Sequence, residues 1–316
     1  MPRYWDILLV VLGHCNDFPL KKYIYAFHMP LFFILSGFLF HQKRISVPYV
    51  RDLLRKYIMP YFVLCLINLV IKQVTQSFGD GLDMSISHSI IGIVYSSGTG
   101  GWMPTCTPLW FLTCLFLALV ICSAIHTFFN RIFRWAVILV GVGLTVILDA
   151  IDFIKLPWNL DVALMAILFL HIEYEMKRLG SLKRLLEHKL FARAIITEFA
   201  FVVGTIATFY NPKSVDFCSN TYGNPVFMVI GAIGYSVVVI MVSTSIANHT
   251  ILVKKALMYL SKHTILSWDL TFQRFLCKIS AVAYWIIELD DDVCLEIPHS
   301  HRWFDDLAVF DQVNSQ

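Results

Sequence analysis

Long apolar segments separated by short loops constrain this chain more than any other feature of its sequence. Leu109–Phe129, Leu190–Tyr210 and Pro225–Ala247 are almost continuously apolar. Each is close to the roughly 20 residues that an α-helix needs to cross a bilayer. Hydrophobic residues make up 58% of the chain and charged residues 15%, against about 45–50% and about 25% in soluble domains. The sequence therefore predicts a polytopic membrane protein.

The apolar segments follow one another closely, so we expect one transmembrane domain over 1–289 and a tail with a degenerate last helix over 290–316. The fold class should be all-α, a polytopic membrane helix bundle of about nine to ten transmembrane helices. A short interfacial helix is predicted at Ser85–Tyr95. The predicted spanning segments are Tyr4–Cys15, Tyr23–Phe40, Lys56–Val74, Leu109–Phe129, Ile132–Leu148, Trp158–Tyr174, Leu190–Tyr210, Pro225–Ala247 and Thr264–Ile287.

Basic residues fall in alternate loops, and this predicts the orientation of the chain. Cytoplasmic loops of membrane proteins carry an excess of Lys and Arg. The N-terminus should therefore be cytoplasmic, in a multi-pass protein of the cell (inner) membrane. The formal net charge of +3 is too small to indicate nucleic acid as a partner. The basic clusters lie at 43–56, 131–134, 177–193 and 254–262, and the base-poor loops at 77–107, 149–161 and 211–224.

Two polar residues of the first segment could carry acid–base chemistry. Arg3 and His14 are eleven residues apart, which on a helix is about three turns, so both share one face about 16 Å apart. A histidine titrates near neutral pH and can take a proton from a hydroxyl group. Equally, His14 could be a helix-end histidine in the headgroup region.

A cationic cluster follows the second segment. Arg51 and Arg55 are spaced to share a helix face, with Lys56 beside them. Paired guanidinium groups at a membrane face suit the phosphates of a lipid headgroup or a coenzyme. Ordinary positive-inside charge is the alternative explanation.

Further polar residues have both structural and functional interpretations. His28 could satisfy the backbone carbonyl that Pro30 leaves without a donor, and Ser36 with Gly37 indicates close helix packing. Trp110 suits an aromatic belt. The outer loop could line a sugar site through Asn220, Tyr222 and Asn224, although loop polarity explains these three equally well. The eight cysteines form no CxxC pair, so we expect no metal site.

Together these residues resemble membrane acyltransferase family 3, the integral-membrane O-acyltransferases that acetylate sugars of surface polysaccharides, and most closely the fucose 4-O-acetylase-like branch. The resemblance implies about ten helices, a coenzyme A donor on the cytoplasmic side and a hydroxyl acceptor on the far side. Its signature is a basic residue, ten residues and an essential histidine, which Arg3 and His14 match. The matching pieces are Leu8–His14, Phe27–Phe40, Arg55–Phe62, Pro108–Phe116, Pro157–Leu164, Asn220–Phe227 and Leu260–Thr264.

The resemblance implies an O-acetyltransferase that uses acetyl-CoA as co-substrate, without a metal. A cell-surface saccharide or its lipid-linked precursor would be the acceptor, and membrane lipid the surroundings. His14 would be the general base, with Arg3 and Asp6 completing the catalytic set. Arg51, Arg55 and Lys56 would bind the coenzyme. The implied substrate contacts are His28, Ser36, Trp110, Asn220, Tyr222 and Asn224.

Two other functions are compatible with the sequence. A transporter or exporter of a small polar solute would also place polar groups inside a membrane bundle. A truncated, inactive acyltransferase homologue would keep the family pattern without activity, and the short first segment Tyr4–Cys15 fits that description.

Overall fold

Helices form almost all of the ordered framework, as the apolar segments predict. The computed structural model describes residues 19–39, 44–77, 85–99, 103, 109–151, 153–181, 184–185 and 188–249. Within these ranges the helices are α1 (Lys21–Leu39), α2 (Val47–Leu53), α3 (Met59–Ser77), α4 (Ile86–Tyr95), α5 (Trp110–Phe128), α6 (Arg131–Ala150), α7 (Leu160–Arg178), α8 (Leu190–Tyr210) and α9 (Pro225–His249). The all-α fold class is confirmed.

Some of the sequence-based predictions fall on other parts of the chain. Arg3, Asp6 and His14 lie outside the described residues, and so do the predicted segments Tyr4–Cys15 and Thr264–Ile287. The domain boundary predicted at residue 289 lies outside them too. These assignments stay predictions.

The third predicted segment, Lys56–Val74, is wrong at its start, because the helix begins at Val47. Ser46 caps it by accepting a hydrogen bond from the Tyr49 backbone N–H at 3.4 Å, and Pro48 lies in the first turn. Both residues favour a helix start. Arg51, Arg55 and Lys56 therefore lie within the helix and not in the loop before it.

A π-turn, Leu54–Ile58, joins α2 to α3 and keeps one face of this long helix buried. A regular α-helix has 3.6 residues per turn, so residues spaced by four drift around it by about 40° per step. The wider π-turn reverses that drift. The buried residues at this spacing are Tyr49, Leu53, Tyr57, Tyr61 and Cys65.

Helix α7 lies at the centre of the described bundle. It packs against α1, α5 and α6, and its buried residues run from Asp161 to Glu175. Because neighbours cover it on several sides, α7 tolerates polar residues that a lipid-facing helix would not.

Five helices are long and apolar enough to cross a membrane, by length and composition, among the described residues. They are Val47–Ile71, Trp110–Phe128, Arg131–Ala150, Leu190–Tyr210 and Pro225–Ser245. The predicted nine to ten are not confirmed. Helix α7 falls outside the five because it carries Asp161, Glu173, Glu175 and two basic residues in its last turn.

The outer helices expose apolar side chains, as a lipid-facing surface requires. On α8, Phe199 is 70% exposed, and on α6, Val140 is 73% exposed. Helix α8 packs instead through its small residues against α9, where Gly204 lies close to Gly231 and Gly234. Small residues let two helix backbones approach closely. The exposed faces and the close α8–α9 contact together support a multi-pass membrane protein.

The alternating helix directions give the bundle two distinct ends. At the end that we call the basic end, the Ile45 N–H donates to Thr127 Oγ1 at 2.9 Å, joining the start of α2 to the end of α5. At the opposite, loop end, Lys22 donates to the Asn211 carbonyl at 3.0 Å. The described cations at the basic end include Arg51, Arg55, Lys56, Arg131, Arg134, Lys177, Arg178 and Arg193. That this end faces the cytoplasm stays a prediction.

Candidate functional site

An exposed cationic face lies at the basic end. Arg51, Arg55 and Lys56 are all exposed, on the helix that includes the π-turn Leu54–Ile58. An open groove of about 530 Å³ lies beside Arg51. It is lined by Ile45, Ser46, Val47, Val50, Arg51 and Leu54. The structure thus places the three predicted coenzyme contacts on one long helix, and Arg51 lines the groove.

The π-turn refines the predicted geometry of this face. The sequence places Arg51 and Arg55 one α-helical turn apart, whereas the π-turn begins at Leu54, between them. Single π-turns inside helices are frequent at functional sites. Arg55 and Lys56 therefore lie within the π-turn, whereas Arg51 lies just before it, and all three side chains are exposed.

Polar side chains lie in the core behind this face. Tyr49, two residues before Arg51, accepts a hydrogen bond from the Ser123 hydroxyl of α5 at 3.2 Å. The neighbouring Cys122 thiol is 1% exposed and close enough to Glu173 of α7 to interact electrostatically with it. Buried polar groups of α2, α5 and α7 thus lie in the core at the basic end.

The sequence HIEYE in α7 supplies site residues that the sequence analysis missed. His171 Nδ1 lies 2.9 Å from His126 Nε2 at the end of α5. Glu175 Oε2 bonds Arg131 at 3.0 Å and Arg178 at 2.9 Å. The signal was present, since ionisable residues inside an apolar run indicate function by default. Their spatial partners were not evident, because they come from other helices.

The loop end is built around Asn211. Its Nδ2–H donates to the Tyr222 carbonyl at 3.0 Å, and its Oδ1 accepts from the Asn224 N–H at 2.9 Å. The Tyr222 hydroxyl donates to Asn220 Oδ1 at 2.8 Å. Burial raises the pKa of Tyr222 well above its ordinary value. Asn220 and Tyr222 therefore hold the loop in shape, whereas Asn224 is exposed.

Trp110 contacts the same region. A Cβ added at Gly98 would lie 2.8 Å from Trp110 Cδ1 and 2.5 Å from Cys218 Sγ, so both side chains meet the backbone there. Trp110 is 6% exposed, which argues against the aromatic-belt interpretation because a belt residue faces the headgroups. The structure thus brings Trp110 next to the loop that carries Asn220 and Tyr222.

His28 and the pair Ser36 and Gly37 lie on α1, where their neighbours test two sequence-based predictions. His28 is predicted to satisfy the carbonyl freed by Pro30, which is that of Ala26, four residues before the proline. His28 Nδ1 lies instead 3.0 Å from the Ile24 carbonyl. The close packing predicted for the pair Ser36 and Gly37 is present, because Gly37 lies directly against Glu173. A role of His28 and Ser36 in substrate contact stays a prediction.

Comparison with known proteins adds a family to this geometry. A family model described as an acyltransferase domain matches residues 3–266, which is most of the chain. The match includes Arg51, Arg55 and Lys56, residues 171–175 of α7 and the loop 211–224. No curated protein and no solved structure matches the chain.

Proposed function

The chain belongs to the acyltransferase family, and we propose that it is a membrane O-acetyltransferase of saccharides. It would move an acetyl group from acetyl-CoA to a hydroxyl of a cell-surface saccharide or its lipid-linked precursor. The family match favours acyl transfer over solute transport. The fucose 4-O-acetylase-like branch is part of this proposal.

The exposed cationic face at the basic end is the observation that carries the proposal. Arg55 and Lys56 lie in the π-turn, and Arg51 lies in the α-helical turn just before it, beside the groove. Guanidinium groups bind phosphate through paired, charge-assisted hydrogen bonds. Coenzyme A carries several phosphates at the end remote from its thioester. The face would therefore hold the phosphates while the pantetheine arm reaches toward the core.

The acceptor would approach from the loop end. Asn224 is exposed there, and its side-chain amide is a suitable partner for the hydroxyl groups of a sugar. Trp110 is buried and would act by supporting the loop against Gly98. Asn220 and Tyr222, both buried, would act by keeping this loop in shape.

The chemistry would take place between the two ends. His14 would take the proton from the acceptor hydroxyl as its oxygen bonds to the acetyl carbon. A backbone donor would stabilise the oxyanion that develops on the acetyl oxygen, and Arg3 and Asp6 would complete the catalytic set. The C–S bond then breaks, and the coenzyme leaves as its thiol after gaining a proton.

Acetyl transfer from labelled acetyl-CoA to saccharide, measured on the purified full chain in lipid nanodiscs, tests the proposal. The His14→Ala variant should lose transfer by about 10²-fold or more. His188→Ala removes an exposed histidine and serves as its matched control. A wild-type chain without transfer would overturn the proposed function, and equal activity of His14→Ala would overturn the role of His14.

Coenzyme binding is tested separately by thermal stabilisation with acetyl-CoA. The double variant Arg51→Ala/Arg55→Ala should lose this stabilisation. The matched control, Lys21→Ala/Lys213→Ala, removes the same amount of positive charge from the loop end. If both double variants lose binding equally, net charge and not the cationic face attracts the coenzyme.

A further inference from the structure

Glu173 is a buried carboxyl group without a hydrogen-bond partner for one of its oxygens. It is 1% exposed, and its Oε1 has no partner among the described residues. Glu175, two residues later, also has a buried oxygen without a partner, Oε1, among the described residues, but its Oε2 pairs with Arg131 and Arg178. Buried polar groups are nearly always hydrogen-bonded, and exceptions call for a functional explanation.

The helix opposite Glu173 leaves space for this carboxyl group. A Cβ added at Gly37 of α1 would lie 2.6 Å from Glu173 Oε2, closer than two such atoms can approach. A residue with a side chain at this position would displace the carboxyl group. The glycine of the pair Ser36 and Gly37 therefore sets the position of Glu173 as well as the α1–α7 contact.

Glu173 lies close to the basic end of the bundle. It is five residues before Arg178, the last residue of α7, and thus about 7–8 Å below that helix end. Cys122 of α5 interacts electrostatically with it, and the adjacent Ser123 donates a hydrogen bond to Tyr49. A coenzyme whose phosphates lie at Arg51 and Arg55 would extend its pantetheine arm in this direction.

We propose that Glu173 is a catalytic residue that protonates the departing coenzyme thiolate. This rests on the proposed function. A buried carboxyl group that forms no ion pair is more stable in its protonated form than in its ionised form, because burying an unpaired charge costs more free energy than burying a neutral group. The nearest cation on its own helix, Lys177, is exposed.

The proposed step is balanced in protons and bonds. The acceptor oxygen forms its bond to the acetyl carbon and passes its proton to His14, while the C–S bond breaks. The Glu173 proton moves to the thiolate, and coenzyme A leaves as the thiol. One proton then returns from the imidazolium to the carboxylate through water, which restores the enzyme.

The identity of the leaving group provides the test. Two small donors are compared in the wild-type chain and in Glu173→Gln, namely S-acetyl-N-acetylcysteamine and an acetyl thioester of an acidic aryl thiol. Acetyl-CoA is measured beside them. Glu173→Gln should slow transfer from acetyl-CoA and the cysteamine donor by about 10²-fold or more. The aryl donor should lose less than about tenfold, because its thiolate leaves without a proton.

Two further variants keep the test decisive. Glu175→Gln removes a neighbouring carboxylate that holds an ion pair, and it should leave the ratio between the two donors unchanged. Gly37→Ala displaces the Glu173 carboxyl group and should change that ratio in the direction of Glu173→Gln. If Glu173→Gln does not fold, the ratio between the two donors measured in Gly37→Ala is the test of the proposal.

The possible failures can be told apart. If the wild-type chain transfers acetyl groups and Glu173→Gln slows all donors equally, or none, the assignment of Glu173 is overturned and the proposed function stands. If the wild-type chain transfers no acetyl group from acetyl-CoA, the proposed function is overturned, and the role of Glu173 with it.

Discussion

His126 Nε2 and His171 Nδ1 lie 2.9 Å apart and join the end of α5 to α7 inside the basic end. The Trp135 ring lies 4.5 Å from His171 and the Tyr174 ring 4.3 Å from His126, measured between centroids. His171 is completely buried, and its Nε2 has no hydrogen-bond partner among the described residues. The bond to His126 therefore satisfies Nδ1 of the buried His171 ring.

Replacing His126 by Phe should destabilise the protein. The variant keeps an aromatic ring against Tyr174 but leaves the buried His171 Nδ1 without its partner. We expect the free energy of unfolding to fall by about 1–3 kcal/mol, measured by thermal unfolding in detergent. His188→Ala, at an exposed histidine, should change it by less than about 0.5 kcal/mol. Equal melting temperatures would show that the His126–His171 bond does not contribute to stability.

Replacing Asn211 by Ala should loosen the loop end. The variant loses the bonds to the Tyr222 carbonyl and the Asn224 N–H. If the acceptor binds at this loop, KM for the saccharide should rise while coenzyme stabilisation is retained. Asn68→Ala is the matched control, because Asn68 donates to Leu64 of its own helix. An unchanged KM would separate the loop from acceptor binding.

The helices that could be predicted from sequence are those with local signals at both ends. Leu190–Tyr210 is predicted with the bounds that α8 has, because charged and polar residues flank a long apolar run that only Arg193 and Glu198 interrupt with a charge. The start of α2 was missed because Arg51 and Arg55 interrupt the apolar pattern. Its cap, Ser46 followed by Pro48, was a local signal that pointed to the earlier start.

The candidate site likewise has one part that could be predicted from the sequence and another that could not. The cationic face could be predicted, since Arg51 and Arg55 are close in sequence. The position of Glu173 against Gly37 could not, because their contact depends on how α1 packs on α7. Spacing along one chain segment carries no information on such long-range pairs. The π-turn lies between these two cases. It cannot be predicted from the sequence alone, but once the helix is known to begin at Val47, the four-residue spacing of the buried residues from Tyr49 to Cys65 indicates it.

Replacing Gly234 by Ala should separate α8 from α9. The added Cβ would lie 2.7 Å from the Ala200 carbonyl oxygen, which is backbone and cannot rotate away. Overpacking of this kind costs about 1–3 kcal/mol, which thermal unfolding in detergent can measure. Gly143→Ala in α6 is the matched control, because its Cβ would meet nothing within 4 Å. It should be neutral or stabilising, since Ala favours a helix over Gly by about 1 kcal/mol. Equal effects of the two variants would contradict a close α8–α9 contact.

Alkylation of Cys218 should depend on folding and pH. Burial, and secondly the Asp216 carboxylate, raise the pKa of the Cys218 thiol from 9.0 to about 12. The thiolate is the reactive form, so at pH 8 the folded protein should react about 10³-fold more slowly than the unfolded chain. Between pH 9 and 12 the folded rate should keep rising, while the unfolded rate levels off above the ordinary pKa. Iodoacetamide labelling followed by peptide mass spectrometry measures both rates.

Asp216→Asn provides the internal control for this electrostatic argument. It removes the negative charge and keeps an oxygen that can accept the bond from the Cys218 N–H, which Asp216 Oδ1 accepts at 2.9 Å. The folded rate should increase, because one of the two causes of the raised pKa is gone. It should still stay below the unfolded rate, because burial is the larger cause. Labelling of folded Cys218 at the unfolded rate would contradict the burial of this thiol against Gly98 and Trp110.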